Sequence, residues 1–327
     1  MRTATSTSIV RKIASSVAMF LVFGVANVQA LTISPARLEM YGDPGKTISG
    51  EFLLINEQEN NQTFYTSAEN FEAQGETSTP NFVSGTDGLA SWIEVRKEVT
   101  LHKGEQVKVP FTVTIPKDAD AGGHFAAIFL STVPPASKGA GEVAVGAKVG
   151  MLVLLKVSGE VKEGGGIVDF TTKTKKSFFT SLPITFAYRF SNNGNDRVNP
   201  TGDAVITNML GLEKVKLPAN QGLGNVLPKS TRRFEIVWGN DAPQYPSFFD
   251  TVQYQASHFA LGYYHVSLNL SYGVSSKASE SLSVFVFPWQ LMIVTLLGAL
   301  AIYFIVSRLL KRYNRWIISQ ATHQAKE

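Results

Sequence analysis

The chain has 327 residues, of which 44% are hydrophobic and none is cysteine. Disulfide scaffolds, thiolate metal sites and cysteine nucleophiles are therefore excluded. Eight of the 30 basic residues and one of the 26 acidic residues lie before residue 31 or after residue 287. The segment 31–287 therefore contains 22 basic and 25 acidic residues, a net charge of −3. Because nucleic-acid binding needs a concentrated basic face, no nucleic-acid partner is expected.

Residues 1–30 show the order of features that is typical of a secretory signal. Three basic residues precede an apolar run at 17–25, and small or modest residues lead up to Ala30. This order predicts a signal peptide that is cleaved after Ala30 and exports the chain that follows it. The alternative is an uncleaved N-terminal anchor, although the apolar run is short for a membrane-spanning helix.

Alternation of apolar and polar residues dominates 31–286 and predicts β-strands with one buried face. Residues 107–115 alternate in this way, as do 182–190 and 264–272. Turn-forming pairs that contain glycine or proline separate such segments, and no helical pattern is recognised between them. Strands at this spacing favour antiparallel sandwiches.

The strand pattern predicts an all-β fold of two immunoglobulin-like β-sandwich domains. The first domain is expected at 31–163 and the second at 164–286, with the glycines at 164–166 as a linker. Similar features recur in the two halves, such as an early strand that ends in a polar turn. The segment 134–141, rich in Pro, Gly, Ala and Ser, is either a functional loop or a tolerated insertion in the first domain.

A second apolar run at 287–307 predicts one transmembrane helix. At about 1.5 Å per residue it is roughly 31 Å long, enough to cross a hydrocarbon core of about 30 Å. An aromatic side chain at one border and basic side chains after the other are typical membrane anchors. These anchoring residues are Trp289, Arg308, Lys311, Arg312 and Arg315.

The charge that follows the apolar run predicts the orientation of the chain. By the positive-inside rule the basic tail 308–327 is cytoplasmic, and the N-terminal side is extracellular, in agreement with the signal peptide. The expected location is the cell membrane, crossed once. A buried core helix is the alternative, disfavoured because nothing else in the chain looks helical enough to bury it. The tail itself is either a short interfacial helix or a frayed end.

No arrangement of residues predicts catalysis or metal binding. The five histidines show no ligand spacing, and the chain has neither a nucleophile elbow nor a phosphate-binding glycine loop. The paired acids Asp118 and Asp120 are interpreted as a solvated turn. Trp92 and Trp238 lie in alternating segments and are interpreted as core residues rather than sugar-stacking ones. We therefore predict no enzyme activity, no cofactor and no metal.

Two short motifs and the segment after them resemble a known family. Ser34-Pro35-Ala36-Arg37-Leu38-Glu39 and Asp43-Pro44-Gly45-Lys46 look like the start of the DUF916 family, and 109–122 looks like its later half. This family comprises Gram-positive cell-surface proteins of the WxL-interacting type. The resemblance extends to the order of signal peptide, two immunoglobulin-like domains, transmembrane helix and basic tail. It implies a structural or adhesive role with peptidoglycan or WxL-type surface proteins as partners, and it assigns no binding residue.

Three functions follow as hypotheses. The first is a membrane-anchored extracellular scaffold or adhesion protein that binds cell-wall polymer or other surface proteins. The second is a membrane-tethered chaperone that pairs an exposed edge strand with a client. The third, a hydrolase of wall polymer, is disfavoured because no catalytic constellation is recognised.

Overall fold

The computed structural model describes residues 31–77, 79–83, 87–134, 148–239, 244 and 246–324. The predicted signal peptide with its cleavage site at Ala30, and all of the predicted loop 134–141 except Pro134, lie outside these residues. The described residues form eighteen strands and three helices.

The first ten strands build one sandwich. They are β1 (Leu31–Ser34), β2 (Arg37–Gly42), β3 (Thr47–Asn56), β4 (Gln62–Gln74), β5 (Thr79–Val83), β6 (Ile93–Val95), β7 (Glu98–Leu101), β8 (Gln106–Thr114), β9 (Gly122–Ser131) and β10 (Lys148–Val157). One sheet has the order β1-β3-β8-β6, and the other has the order β2-β10-β9-β4-β5 with β7 also paired to β4. The two inner faces enclose one hydrophobic core.

The last eight strands build a second sandwich with a core of its own. They are β11 (Gly165–Thr172), β12 (Phe178–Phe179), β13 (Ile184–Asn192), β14 (Thr201–Asn208), β15 (Glu213–Pro218), β16 (Ser230–Trp238), β17 (Gly262–Tyr272) and β18 (Ser276–Val286). Its sheets have the orders β11-β13-β16 and β12-β18-β17-β14-β15. The predicted all-β class with two immunoglobulin-like sandwiches and one C-terminal apolar helix is confirmed.

The sequence pattern explains why these strands form where they do. In β17 buried and solvent-facing residues alternate along nearly the whole strand, because successive side chains point to opposite faces of a sheet. Strand β9 departs from this rule, since Ala126 to Leu130 are all buried. Such a continuous apolar run is expected of a strand that is covered on both faces.

The expectation that no helix lies between the strands is wrong. Helix α1 (Leu89–Trp92) is a single turn, so Trp92 ends a helix instead of lying in a strand. Helix α2 (Phe248–Ser257) begins with a capping box in which Ser247 and Asp250 exchange side-chain to backbone hydrogen bonds. The hydrogen bonds from Ser247 lower the pKa of Asp250. The cap, more than the apolar spacing, defines this helix.

The glycines expected to form a linker differ from the prediction, because two of them lie in a strand. Gly165 and Gly166 belong to strand β11, where they pair with Asn192 and Ser191. Helix α3 (Trp289–Gln324) continues without a break through the predicted boundary at 307. Leu, Arg and Lys are good helix formers, and neither glycine nor proline follows 298, so nothing ends the helix there. The helix is long and apolar enough to cross a membrane, and its first 28 residues pack against little else in the described chain.

A buried asparagine ends the equivalent strand of each sandwich. The Nδ2 of Asn56 donates to the carbonyl oxygens of Asn60, Leu101 and His102, at 2.9, 3.3 and 3.1 Å. In the second sandwich the Nδ2 of Asn192 donates to the carbonyls of Asp196 and Val226, at 2.7 and 2.9 Å.

Both asparagines are fully buried, and both tie the end of one strand to a distant turn. The repetition noticed in the sequence therefore corresponds to a shared structural device. Each buried amide donates both of its N–H groups to backbone carbonyls and so has no unpaired donor in the interior.

Replacement of Asn192 by Asp is expected to destabilise the protein, because a carboxylate offers no donor to the two carbonyls. Asn192→Asp should lower the free energy of unfolding by about 3 kcal/mol, measured by urea unfolding of the full chain in detergent. Asn208→Asp is the matched control, since the Oδ1 of Asn208 only accepts hydrogen bonds, from the N–H groups of Leu210 and Leu212. Equal loss in the two variants would contradict this account.

Candidate functional site: an open half-edge of the first sandwich

Strand β10 is covered along its whole length on one side and along only part of it on the other. Strand β9 pairs with it from Lys148 to Val157. Strand β2 pairs with it, in parallel, only from Leu152 to Val157. Within the described ranges, no strand pairs with Lys148–Met151 on that second side. We call these four residues the open half-edge.

The hydrogen bonds of β10 show which backbone groups face the open side. The N–H of Leu152 donates to the carbonyl of Ala36 at 2.9 Å, so it points towards β2. Backbone groups of a strand alternate sides with a period of two residues. The N–H and C=O groups of Lys148 and Gly150 therefore point in the same direction, beyond the first residue of β2. An unpaired row of this kind is a template for another strand.

The side chains of the open half-edge have different surroundings on its two faces. Val149 and Met151 face the core of the first sandwich. On the outer face, the Nζ of Lys148 lies 3.9 Å from the centre of the Phe129 ring and 2.6 Å from a carboxylate oxygen of Glu69. The Phe129 ring also covers Gly150, where a Cβ would overlap it.

Phe129 belongs to an aromatic layer on the outer face of the same sheet. The Phe82 ring packs edge-on at 4.8 Å from Phe129 and at 6.1 Å from Phe71, and Phe125 lies 5.8 Å from Phe71. These contacts bury Phe71 and Phe129 although neither belongs to the sandwich core. The layer packs on the outer face of β9, the strand that pairs with the open half-edge, while the sandwich core packs on its inner face.

The opposite end of β10 is fixed to the second sandwich. The Nζ of Lys156 lies 2.8 Å from a carboxylate oxygen of Asp196, and Arg197 donates to Glu39 on β2 at 2.8 Å. Lys156 is roughly 27 Å from Lys148 along the strand. The open half-edge is thus far from the junction of the two sandwiches.

Asn195 is the centre of this junction. Its Nδ2 donates to the carbonyls of Ala121 and Glu160 at 2.9 and 3.1 Å, and its Oδ1 accepts from the N–H of Lys162 at 2.8 Å. Its carbonyl accepts from the N–H of Gly123 at 2.9 Å. This approach requires glycine at 122, which has a φ of 117° and where a Cβ would overlap the Asn195 carbonyl.

A second contact between the sandwiches comes from the β4–β5 hairpin. Both carboxylate oxygens of Glu76 accept from the Nε of Arg189, at 2.9 and 3.0 Å, and one also contacts its Nη2. The hydrogen bonds that Arg189 donates to Glu76 raise the pKa of Arg189. The carbonyl of Glu76 accepts from the N–H of Arg233 at 2.9 Å. Because both side chains of the ion pair are well exposed, it contributes less than the junction at Asn195.

The anchoring residues predicted from the sequence all lie on α3. Trp289 is its first residue, about 29 Å along the axis from Arg308. The continuous helix places the four basic residues at i, i+3, i+4 and i+7, on one face. These residues are Arg308, Lys311, Arg312 and Arg315. None of them lies near the open half-edge in the chain, and their role as anchors stays a prediction.

Other residues singled out in the sequence are in structural surroundings. Trp238 is buried in the second core, and Trp92 packs against the first core with its ring 4.7 Å from that of His124. The interpretation as a core residue is confirmed for Trp238, whereas Trp92 is only partly buried against the core. Within the described part of the chain, Asp118 and Asp120 belong to no group of three or more side chains that could hold a metal ion.

Local sequence does not reveal the open half-edge, for two reasons. Lys148-Val149-Gly150 shows no clear alternation of apolar and polar residues, so no pattern marks it as part of a strand. An open edge is also a property of the pairing between distant strands, which a local pattern does not reveal. Asn193-Gly194 is a typical turn-forming pair, and nothing in it indicates that the next residue, Asn195, contacts the first sandwich.

Comparison with solved structures finds chaperones of bacterial fimbriae. The class 5 fimbriae chaperone CfaA is 15% identical with a TM-score of 0.38, over 78% of this chain and 99% of that chain. The CsuC–CsuE chaperone–tip adhesion subunit pre-assembly complex of Acinetobacter baumannii is 10% identical with a TM-score of 0.37, over 79% of this chain and 99% of that chain. The E. coli chaperone DraB is 10% identical with a TM-score of 0.33, over 79% of this chain and 97% of that chain. At such low identities and TM-scores, these similarities carry no argument about function.

No family model matches the chain, and no curated protein matches it. The resemblance to the DUF916 family therefore stays a prediction, as does the absence of enzyme activity.

Replacement of Asn195 by alanine is expected to loosen the junction, because three side-chain hydrogen bonds between the sandwiches and their linker are lost. The absence of native cysteine allows spin labels at Lys108→Cys and Lys277→Cys, one on each sandwich. Electron–electron double resonance should give a broader distance distribution in Asn195→Ala than in the parent. The control Asn193→Ala removes one exposed side-chain contact, to Ser191, and should leave the distribution unchanged. An unchanged distribution in Asn195→Ala would show that the junction depends on other contacts.

Proposed function

We propose that the protein is a membrane-tethered binding module that pairs the open half-edge of β10 with an extended segment of another exported polypeptide. The single observation that carries this proposal is the outward direction of the Lys148 and Gly150 backbone groups, with which no described strand pairs on that side. Addition of a strand to an exposed sheet edge is a general mode of peptide recognition. We base the proposal on this edge and not on the similarity to fimbrial chaperones.

The edge is held ready for a partner before the partner arrives. Strand β9 supports it along its full length, and the core and the aromatic layer hold β9 from both faces. A partner strand therefore meets a preformed template and need not order the protein, which favours binding. Its side chains would alternate between the sandwich core near Val149 and Met151 and the outer face near Phe129.

The short length of the open half-edge limits the affinity. Two residues offer four backbone groups, and at about 1 kcal/mol net for each hydrogen bond the backbone contributes about 4 kcal/mol. That figure alone corresponds to a dissociation constant in the millimolar range. Binding is therefore transient unless partner side chains add to it, as suits the transfer of a client rather than permanent assembly.

Helix α3 provides the tether in this proposal. Its apolar part is long enough for a single membrane crossing. The four basic residues that follow this apolar part on one face of α3 favour a cytoplasmic C-terminal end. The two sandwiches then lie on the extracellular side, where exported polypeptides emerge. Binding of wall polymer and of WxL-type proteins stays a prediction.

A proline at Lys148 is expected to abolish strand pairing and leave the fold intact. It removes the N–H that faces the open side, whereas the hydrogen bonds to β9 use the other side of the strand. Lys148→Ala is the matched control, because it also loses the contacts to Glu69 and Phe129 but keeps the backbone N–H. Binding of a fluorescent peptide of alternating valine and threonine to the full chain in nanodiscs should be lost in Lys148→Pro and kept in Lys148→Ala. Equal binding by both variants would contradict the proposal.

Sedimentation with purified wall sacculi distinguishes the proposed strand-binding function from that of a scaffold that binds the cell wall. If the protein is a strand-binding module, the full chain in detergent should sediment with unfolded exported polypeptides and not with sacculi. Retention on sacculi to the same extent in the parent and in Lys148→Pro would favour the scaffold hypothesis and overturn ours.

A further inference from the structure

Several strand ends of the second sandwich meet at the end where the membrane helix begins. Strand β18 ends at Val286, three residues before Trp289. Val286 pairs with Gly262, the first residue of β17. Tyr264 of β17 pairs with Asn208 at the end of β14. The register therefore places the β14–β15 hairpin tip at the same end of the sheet as the start of α3.

This end of the sandwich carries an unusual number of exposed apolar side chains. They are Phe178, Met209, Leu210, Leu212, Phe248, Phe249, Tyr263, Phe287 and Trp289, which we call the basal rim. The β14–β15 tip reads Met209-Leu210-Gly211-Leu212, and Leu210 is 75% exposed. Hairpin tips are normally polar, and an exposed apolar patch usually marks an interaction site.

Helix α2 belongs to the same surface and is fixed to α3. The Nε2 of Gln255 donates to the Oε1 of Gln290 at 2.7 Å, and its Oε1 accepts from the N–H of Leu291 at 3.0 Å. The Phe248 ring lies 6.3 Å from the Trp289 ring and 5.6 Å from the Phe249 ring, and Phe249 is 75% exposed. Helix α2 thus lies beside the first turn of α3.

The strands beside the start of α3 add two further aromatic contacts and one backbone hydrogen bond. The Phe285 ring lies 4.6 Å from Tyr263 and 5.8 Å from Phe178, and the N–H of Phe287 donates to the carbonyl of Phe179 at 2.8 Å. Six of the nine exposed aromatic side chains among the described residues from 31 to 289 belong to the basal rim. The other three are Tyr41 and Phe82, in the first sandwich, and Phe259, which follows α2.

We infer that the basal rim rests in the interface of the bilayer that α3 enters, so that the second sandwich lies against the outer leaflet. Aromatic side chains favour the level of the lipid headgroups, and an amphipathic helix binds there with its apolar side inward. The lipid surface is the occupant that the structure favours, because α2 and the end of β18 both adjoin the first turn of the membrane helix. This inference rests on the proposed membrane crossing by α3 and does not depend on strand binding.

The opposite end of the same sheet lacks this relation to α3. The β17–β18 tip carries Val274, which is 92% exposed and whose N–H donates to Glu163 in the linker between the sandwiches. The linker end therefore faces away from the membrane, and the first sandwich with its open half-edge is held at a distance from the lipid surface. Contact at several points of the rim would restrict the tilt of the protein more than one flexible anchor.

Single cysteines provide a direct test, because the chain has none of its own. Nitroxide labels at Leu210→Cys and Phe249→Cys are placed in the full chain in liposomes, and collision with oxygen and with a water-soluble nickel chelate is measured. Val274→Cys is the matched control, an exposed apolar residue at the opposite hairpin tip. Leu297→Cys, within α3, reports on the membrane crossing.

We expect labels at Leu210 and Phe249 to have a severalfold higher ratio of oxygen to nickel accessibility than the label at Val274. Equal ratios at all three positions, with the Leu297 label deep in the bilayer, would overturn the inference and leave the membrane crossing intact. A Leu297 label that is open to the nickel chelate would overturn both. Replacement of Met209, Leu210 and Leu212 by serine should raise nickel accessibility at Phe249, and no change there would contradict a joint contact.

Discussion

Residues 31–42 are divided between the two sheets of the first sandwich, and the open half-edge follows from that division. Strand β1 covers β3 only from Leu53 to Asn56, and β2 covers β10 only from Leu152 to Val157. Because one short segment serves two sheets, it cannot cover the whole edge of either. The same segment closes the sandwich, since Leu31 and Met40 both belong to its core.

The rest of the molecule holds this edge in a defined place. The junction at Asn195 fixes the end of β10 near Lys156 to the second sandwich, and among the described residues no strand pairs with the open half-edge on its outer side. The basal rim and α3 lie at the far end of the second sandwich from the linker. A chain without disulfides achieves this order with two buried cores and a few well-placed asparagine side chains.

The sequence predicted the features that depend on local patterns. Alternation at 264–272 predicted β17 because burial of one sheet face imposes a period of two residues. Helix α2 was missed because its cap and the contacts of Gln255 define it, and the open half-edge because it depends on strand order. The apolar tip Met209–Leu212 carried a readable signal, since a hairpin turn without charge is unusual. The junction at Asn195 had no such signal, because polar turns are common on protein surfaces.

Amide hydrogen exchange, measured by NMR on the full chain in detergent micelles, tests the central claim most directly. The N–H of Leu152 is bonded to Ala36, whereas that of Gly150 points to the open side of the same strand. We predict slow exchange at Leu152 and Leu154 and fast exchange at Gly150, with protection at Gly150 appearing when a strand-forming peptide is added. Slow exchange at Gly150 without any peptide would show that the edge is closed, and would contradict the proposed function.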